Sequence, residues 1–211
     1  MLHMKHLFYI MISAVTLHAG EIIPTNLTTE YHTAPLAIST LQPRLSWKIN
    51  ARQAEARDLV QTAYEIVAVR ESDGFDQPAL WTSGKVSGAA TSLIAWGNEL
   101  LGSRDRIAWR VRVWDGKGDA SDWSEPATFG VGLLNPEDWT ALWISMKDDH
   151  TFSTTENVQN FIDDPDRGTL HLTPAKYFRK EFQTSPVVRA TLHGTALGVY
   201  TVHINGKRVS D

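Results

Sequence analysis

With 211 residues, 42% hydrophobic and 21% charged side chains, the chain has the composition of a soluble globular protein with room for one large or two small domains. A formal net charge of -4 leaves no basic surplus to neutralise phosphates or to hold an anionic membrane, so no nucleic acid partner is expected. The absence of cysteine rules out disulfides, thiolate metal sites and a cysteine nucleophile.

At the start of the chain, Lys5 and His6 precede the apolar run 7–17, L-F-Y-I-M-I-S-A-V-T-L, and Ala19-Gly20 supply small residues before the polar Glu21. That is the layout of a secretory signal, so residues 1–20 are expected to be a signal peptide and the protein to be exported, periplasmic or extracellular. A helix rising about 1.5 Å per residue over that run falls well short of the roughly 30 Å hydrocarbon core, and no membrane span is expected. The other reading of the run is a buried N-terminal strand.

From residue 21 to 134 every signal is β: short apolar alternations separated by Gly, Pro, Asn and Asp, with no long segment of helical period. Strands are predicted at 22–27, 45–49, 64–69, 80–82, 93–96, 107–114 and 127–131, the number an immunoglobulin-like sandwich needs. Leu45, Trp47 and Ile49 face one way in the second of these, and Pro43 marks its start. Tyr64, Ile66 and Ala68 form the better core face of the third, with Val67 and Val69 opposite. In 107–114, Ile107, Trp109, Val111 and Val113 face the core while Arg110 and Arg112 face the other way. Asp115-Gly116 and Lys117-Gly118 then supply the positive φ values of a tight turn. A central strand followed by such a turn and Ser121-x-Trp123-Ser124 resembles the second half of a fibronectin type III sandwich.

A linker is expected around Asn135-Pro136-Glu137-Asp138. A strand-like pattern restarts over 139–144, whereas 147–168 is polar and acidic and reads as a long surface loop. Order resumes over 175–182, 187–192 and 199–204, and Asn205-Gly206 is a strong hairpin signal with residues 207–211 returning. Tyr200, Val202 and Ile204 make an apolar face with too few strands to cover it. Residues 21–134 are therefore read as a domain that folds alone, and 135–211 as the first part of a second β-sandwich, jelly-roll-like and truncated.

Several stretches in fixed order are similar to the N-terminal region of bacterial alpha-L-rhamnosidases, the family 78 glycoside hydrolases. They are Pro35-Leu36-x-Ile38, Pro43-Arg44-Leu45-Ser46-Trp47, Gln61-Thr62-Ala63-Tyr64-Glu65-Ile66, Leu80-Trp81-x-Ser83-Gly84-Lys85-Val86 and Trp109-Arg110-Val111-Arg112-Val113-Trp114-Asp115. Trp123-Ser124-x-Pro126, Gly132-Leu133-Leu134, Asp138-Trp139, Phe178-Arg179-Lys180-Glu181-Phe182 and Ile204-Asn205-Gly206-Lys207-Arg208-Val209 continue the series. Their joint order, over residues 27–211, is specific where no single piece is.

The resemblance implies an exported enzyme that removes terminal L-rhamnose from glycans or glycosides by inversion. It also implies that a fibronectin-like domain and a β-sandwich precede a helical barrel holding the catalytic acids. Inversion needs two carboxyls about 6.5–9.5 Å apart. The family's motif for that pair would lie beyond Asp211, so this chain is read as a non-catalytic fragment whose C-terminal catalytic barrel is missing, and no catalytic residue is assigned. The reading from a different class is a free-standing extracellular β-sandwich that binds carbohydrate or serves adhesion.

Individual residues give chemistry little foothold. Asp163, Asp164 and Asp166 come together in the acidic loop, but without the spacing of a calcium loop or the burial that raises a general acid's pKa. The eight histidines are scattered, with only His193 and His203 placed to meet across a hairpin, so neither metal nor cofactor is expected. Ser83, Ser121 and Ser124 lack a nucleophile elbow. Of eight tryptophans, Trp47 and Trp109 sit on core faces and Trp114 is expected beside Trp123. Trp81, Trp96 and Trp143 are the ones to test for sugar contact.

Overall fold

The computed structural model describes residues 20–97, 101–146 and 175–209. The expected signal peptide and the acidic loop with Asp163, Asp164 and Asp166 lie outside them. The chain divides into two compact units, Met1–Trp139 and Thr140–Asp211.

Among the described residues the first unit holds eight strands: β1 (Ile22–Thr29), β2 (Arg44–Ala51), β3 (Ala63–Arg70), β4 (Trp81–Thr82), β5 (Val86–Ser87), β6 (Ile94–Ala95), β7 (Arg106–Trp114) and β8 (Ala127–Gly130). One sheet runs β1-β2-β6 and the other β4-β3-β7-β8, with β5 sharing the edge of β3 that β4 occupies. All pairings within them are antiparallel. All seven predicted strands of this region are present, with Val86–Ser87 as an additional short one. The long backbone register is β3 on β7, unbroken from Ala63↔Trp114 to Arg70↔Ile107.

Alternation builds the core between the sheets. Leu45 and Trp47 from β2, Tyr64, Ile66 and Ala68 from β3, and Ile107, Trp109, Val111 and Val113 from β7 are all buried, as period 2 requires of a half-covered strand. Val69 on the opposite face of β3 is buried as well. In β1 the inward phase changes: Ile22 and Pro24 are buried, then Leu27 and Thr29. A register shift between Thr25 and Thr28, with Asn26 at φ 49°, inserts the extra residue that resets the phase.

That reset matters to the core, because Thr29 then offers its hydroxyl oxygen to the buried Trp109 indole N–H at 3.2 Å. The Trp47 indole likewise donates to Gln61 Oε1 at 3.1 Å, and Gln61 donates onward to the carbonyls of Gly88 and Ala90. Both of these core indoles thus carry their polar atom to a partner.

The β8 edge is closed by residues 35–38. Gly130 donates to the Pro35 carbonyl at 2.9 Å, Ile38 to Gly130 at 2.8 Å, and Gly132 to Ile38 at 2.9 Å. The approach is so close that a Cβ on Gly130 would stand 2.2 Å from the Leu36 carbonyl oxygen. Glycine is required there, and the edge is unavailable to another strand.

The turn after β7 differs from the expected glycine-driven one. Only Gly118 of the glycine pair has a positive φ, 88°; the organiser is Asp115, 2% exposed. Its carboxylate accepts the N–H groups of Glu21 (3.0 Å), Lys117 (2.9 Å) and Asp119 (3.0 Å), so one acid ties the entry of β1 to the loop after β7. Burial pushes the Asp115 carboxyl up, but N–H donation from Glu21, Asp119, Lys117 and Gly118 outweighs it and holds the group below the usual aspartate range.

The expected strands at 139–144, 175–182 and 187–192 are not formed, and 199–204 is a strand only at its end, as β9 (His203–Ile204) paired with β10 (Lys207–Arg208). Asn205 (φ 50°) and Gly206 (φ 77°) make the predicted two-residue turn between them. An extended segment becomes a strand only beside a partner, and among the described residues these segments have none. Their apolar side chains stay out in solvent, Leu142 at 88% and Tyr177 at 89% exposure among them.

Two measurements check this account of the first unit. Trp109→Ala is expected to lower its unfolding free energy by roughly 3–5 kcal/mol, through lost packing and an orphaned Thr29 hydroxyl; a melt within a degree or two of the parent would place Trp109 outside the core. Asp115→Ala should cost at least about 2 kcal/mol at pH 7 by leaving buried N–H groups unpaired. Because the folded-state pKa of Asp115 is depressed, its contribution is full above the ordinary value of about 3.9 and is lost as pH falls through the folded value. The gap between parent and variant should therefore narrow in acid, and a gap that widened there would contradict the assignment.

Candidate functional site

Of the tryptophans singled out for sugar contact, Trp81 and Trp96 are brought together and Trp143 is in the other unit. The rings of Trp81 and Trp96 lie 4.8 Å apart at 42°, and Trp96 meets Phe129 edge-on at 5.8 Å. Trp96 is 4% exposed, so it is a core residue and offers no open face for a sugar. Trp81 is half-buried, lying over Gly97, where a Cβ would collide with its Nε1. Trp143 is 70% exposed.

A continuous surface feature lies on the outer face of β3 and β7, where the sequence pattern placed Arg110 and Arg112 away from the core. The Arg110 guanidinium stands 4.3 Å from the Phe75 ring centre and 4.8 Å from that of Trp123. Arg112 stands 4.7 Å from Trp123 and 5.1 Å from Trp114, and Lys85 Nζ 4.3 Å from Trp114. Aromatic and cation alternate in one continuous ladder, Phe75, Arg110, Trp123, Arg112, Trp114, Lys85. Trp114 and Trp123 were expected side by side; they are joined through Arg112 instead. The Arg112 charge is also paired with Glu65 at 2.6 Å, while Arg110 Nε is buried without a hydrogen-bond partner, its cation met by the two ring faces.

Two serines set the ladder's central rung. β8 pairs with β7 only from Arg106 to Trp109, which leaves Val111 and Val113 without a strand neighbour on that side. Residues 121–124 take that place: Ser121 and Ser124 donate their N–H groups to the Val113 and Val111 carbonyls, both at 2.8 Å. Their hydroxyl oxygens accept the Val113 and Val111 N–H groups in return, at 3.0 and 3.1 Å. Trp123, held between the two anchors, is delivered between Arg110 and Arg112. The alternating arginines of β7 and the Ser-x-Trp-Ser spacing were the available signal; the contribution of Phe75 and Lys85 was not visible in it.

The remaining candidates have structural duties. Ser83 Oγ accepts the Ile66 N–H at 2.8 Å and donates to the Gly84 carbonyl, so all three serines considered as nucleophiles serve strand backbone. His203 faces Arg208 across the β9–β10 ladder rather than His193. No group of three or more His, Asp or Glu gathers among the described residues. Among the described residues three carboxyls are clearly shifted, all downward: Glu30 by hydrogen bonding from Arg44, Asp115 as above, and Asp138 by the Ser103 hydroxyl and neighbouring N–H groups. A glycosidase general acid needs the opposite shift.

A sheet of three strands facing one of five, closed by a serine-anchored cation–π ladder, defines an immunoglobulin-like β-sandwich module. Residues 24–135 match the family model of the Rha78A-like, N-terminal immunoglobulin domain, and the chain belongs to that family. It is 32% identical over 189 residues to an alpha-L-rhamnosidase of Streptomyces avermitilis, covering 88% of this chain and 18% of that protein. An Alteromonas alpha-L-rhamnosidase is 35% identical over 190 residues, covering 89% and 19%. Among solved structures, the Streptomyces avermitilis alpha-L-rhamnosidase complexed with L-rhamnose matches with a TM-score of 0.55 and 35% identity, over 60% of this chain and 12% of that one. The alpha-L-rhamnosidase of Dictyoglumus thermophilum gives 0.53 and 31%, over 59% and 14%. The chain thus spans less than a fifth of the curated relatives it matches. The match over 189 residues is longer than the first unit, so it reaches into the second.

Removal of the ladder's central rung tests whether it holds the sandwich together. Trp123→Ala is expected to cost roughly 2 kcal/mol or more, from two cation–π contacts of about 0.5–2 kcal/mol each plus lost apolar cover. Trp123→Phe keeps an aromatic face and should lose less than Trp123→Ala. Urea unfolding that leaves the alanine variant within about 0.5 kcal/mol of the parent would make the ladder incidental to stability.

Proposed function

We propose that this chain is the non-catalytic N-terminal portion of an inverting alpha-L-rhamnosidase, in which the sandwich serves as scaffold or substrate-recognition module. The carrying observation is the match itself: to the Streptomyces avermitilis and Alteromonas alpha-L-rhamnosidases it extends over nearly nine-tenths of this chain, across both units. The down-shifted acids and fully committed serines agree with a part of the enzyme that does no bond cleavage. Residues 135–211 are the first part of a second β-sandwich domain in this reading, and their exposed apolar side chains are the core-facing positions of that domain. Residues 1–20 act as a signal peptide that exports the enzyme, where its substrates are rhamnose-bearing glycans or glycosides. Sugar contact within this portion falls to Trp81 and Trp143, the two tryptophans of the original three with accessible ring surface.

The reading is tested by exchange of parts. Substituting this chain for the matching segment of the Streptomyces avermitilis enzyme should give a folded chimera that still hydrolyses a chromogenic alpha-L-rhamnoside. The 211-residue chain alone, and its Asp163, Asp164, Asp166 triple alanine variant, should show no turnover. Turnover by the chain that disappears in the triple variant would assign catalysis to the acidic loop. A folded chimera with no activity would favour a binding module of separate function.

A further inference from the structure

The sandwich ends with β8, but the chain stays gripped for several residues more. Residues 131–139 run along the loop 102–105 that leads into β7. Val131 donates to the Asp105 carbonyl at 2.8 Å, and the Arg104 N–H is shared between the carbonyls of Val131 and Gly132 at 3.1 and 3.2 Å. Arg104 adopts φ 69°, a conformation that a non-glycine residue keeps only where its surroundings hold it.

Past Gly132 the loop's side chains take over from its backbone. Ser103 Oγ accepts the Leu134 N–H at 2.9 Å and donates to the Asp138 carboxylate. The same Asp138 oxygen accepts the Asn135 N–H at 2.9 Å, the Leu134 N–H at 3.2 Å and the Asn135 side-chain amide at 3.3 Å. On the other side, Arg104 Nη2 donates to the Asp138 carbonyl at 2.6 Å. Residues Pro136–Asp138 form a single 3-10 turn between these anchors, and the proline ring fixes the backbone at its first position.

Connections out of a domain are ordinarily exposed segments that few contacts cross. We propose that Ser103, Arg104 and Asp138 form a latch that makes residues 131–139 a rigid strut, so that the sandwich itself sets the direction in which the chain leaves it. They are positioning residues, and the latch stands or falls independently of the sugar chemistry proposed above.

Two measurements on the 211-residue chain test it. Amide hydrogen exchange at Leu134 and Asn135 should be slowed at least about tenfold relative to an unstructured peptide. Ser103→Ala and Asp138→Ala should each abolish that protection, Ser103→Thr should retain it, and the Val111 and Val113 amides of β7 should be unchanged. If Asp138→Ala also exposes Val111 and Val113, the Ser103 pair of variants decides by the same readings. Because the chain has no cysteine, Trp139→Cys provides a unique spin-label site. The label should be immobile in the otherwise unaltered chain and mobile with Ser103→Ala. Exchange at the unstructured rate, or a freely tumbling label without the serine change, overturns the proposal.

Discussion

The pairing of β3 with β7 is the constraint on which the first unit depends. Its register runs without interruption from Ala63↔Trp114 to Arg70↔Ile107, and each step fixes two faces at once. Inward it places Trp109, Val111 and Val113 against Trp47, Tyr64 and Leu45 in one hydrophobic cluster. Outward it places Arg110 and Arg112 at the spacing that the Trp123 ring fills. A slip of one residue would drive both guanidinium groups into the core and expose the large buried indole, so packing on each face enforces the register that creates the other.

The pairing leaves backbone debts wherever β7 lacks a neighbour, and polar side chains settle them. Ser124 and Ser121 meet the N–H groups of Val111 and Val113, Thr62 Oγ1 reaches the carbonyl of Asp115 at 2.7 Å, and the Asp115 carboxylate gathers the loop beyond. These groups sit at the same end of the sandwich, where strand pairing gives out. Ionised, Asp115 can accept several N–H groups where a neutral hydroxyl could accept fewer, which explains an acid at a site only 2% exposed.

How much of this was legible follows from what a period can encode. Leu45 and Trp47, or Tyr64, Ile66 and Ala68, announce a strand and its buried face because alternation is local, and the strands of the first unit were recovered on that basis. The ladder was not, because its partners Phe75 and Lys85 come from segments whose proximity exists only after folding; alternation turns Arg110 and Arg112 away from the core without showing the rings that cover them. Trp96 looked like an indole available for sugar because a short apolar stretch between turns does not reveal which side faces Phe129. In the second unit, alternation over 139–144 and 187–192 signalled strands, but alternation describes a surface that wants a partner and does not supply one. The Asn205-Gly206 turn formed because its chemistry is complete within the hairpin itself.

A general acid must have its pKa shifted toward the form the reaction consumes. Here the polar groups near the sandwich's ends are already engaged: serine hydroxyls with strand amides, Asp115 and Asp138 with N–H donors, Glu30 with Arg44 at 2.6 Å. Such engagement makes a rigid body, since each acceptor would have to be released before the backbone it holds could move. A rigid body with a gripped exit gives the chain that leaves it a set starting direction, which a mobile end could not.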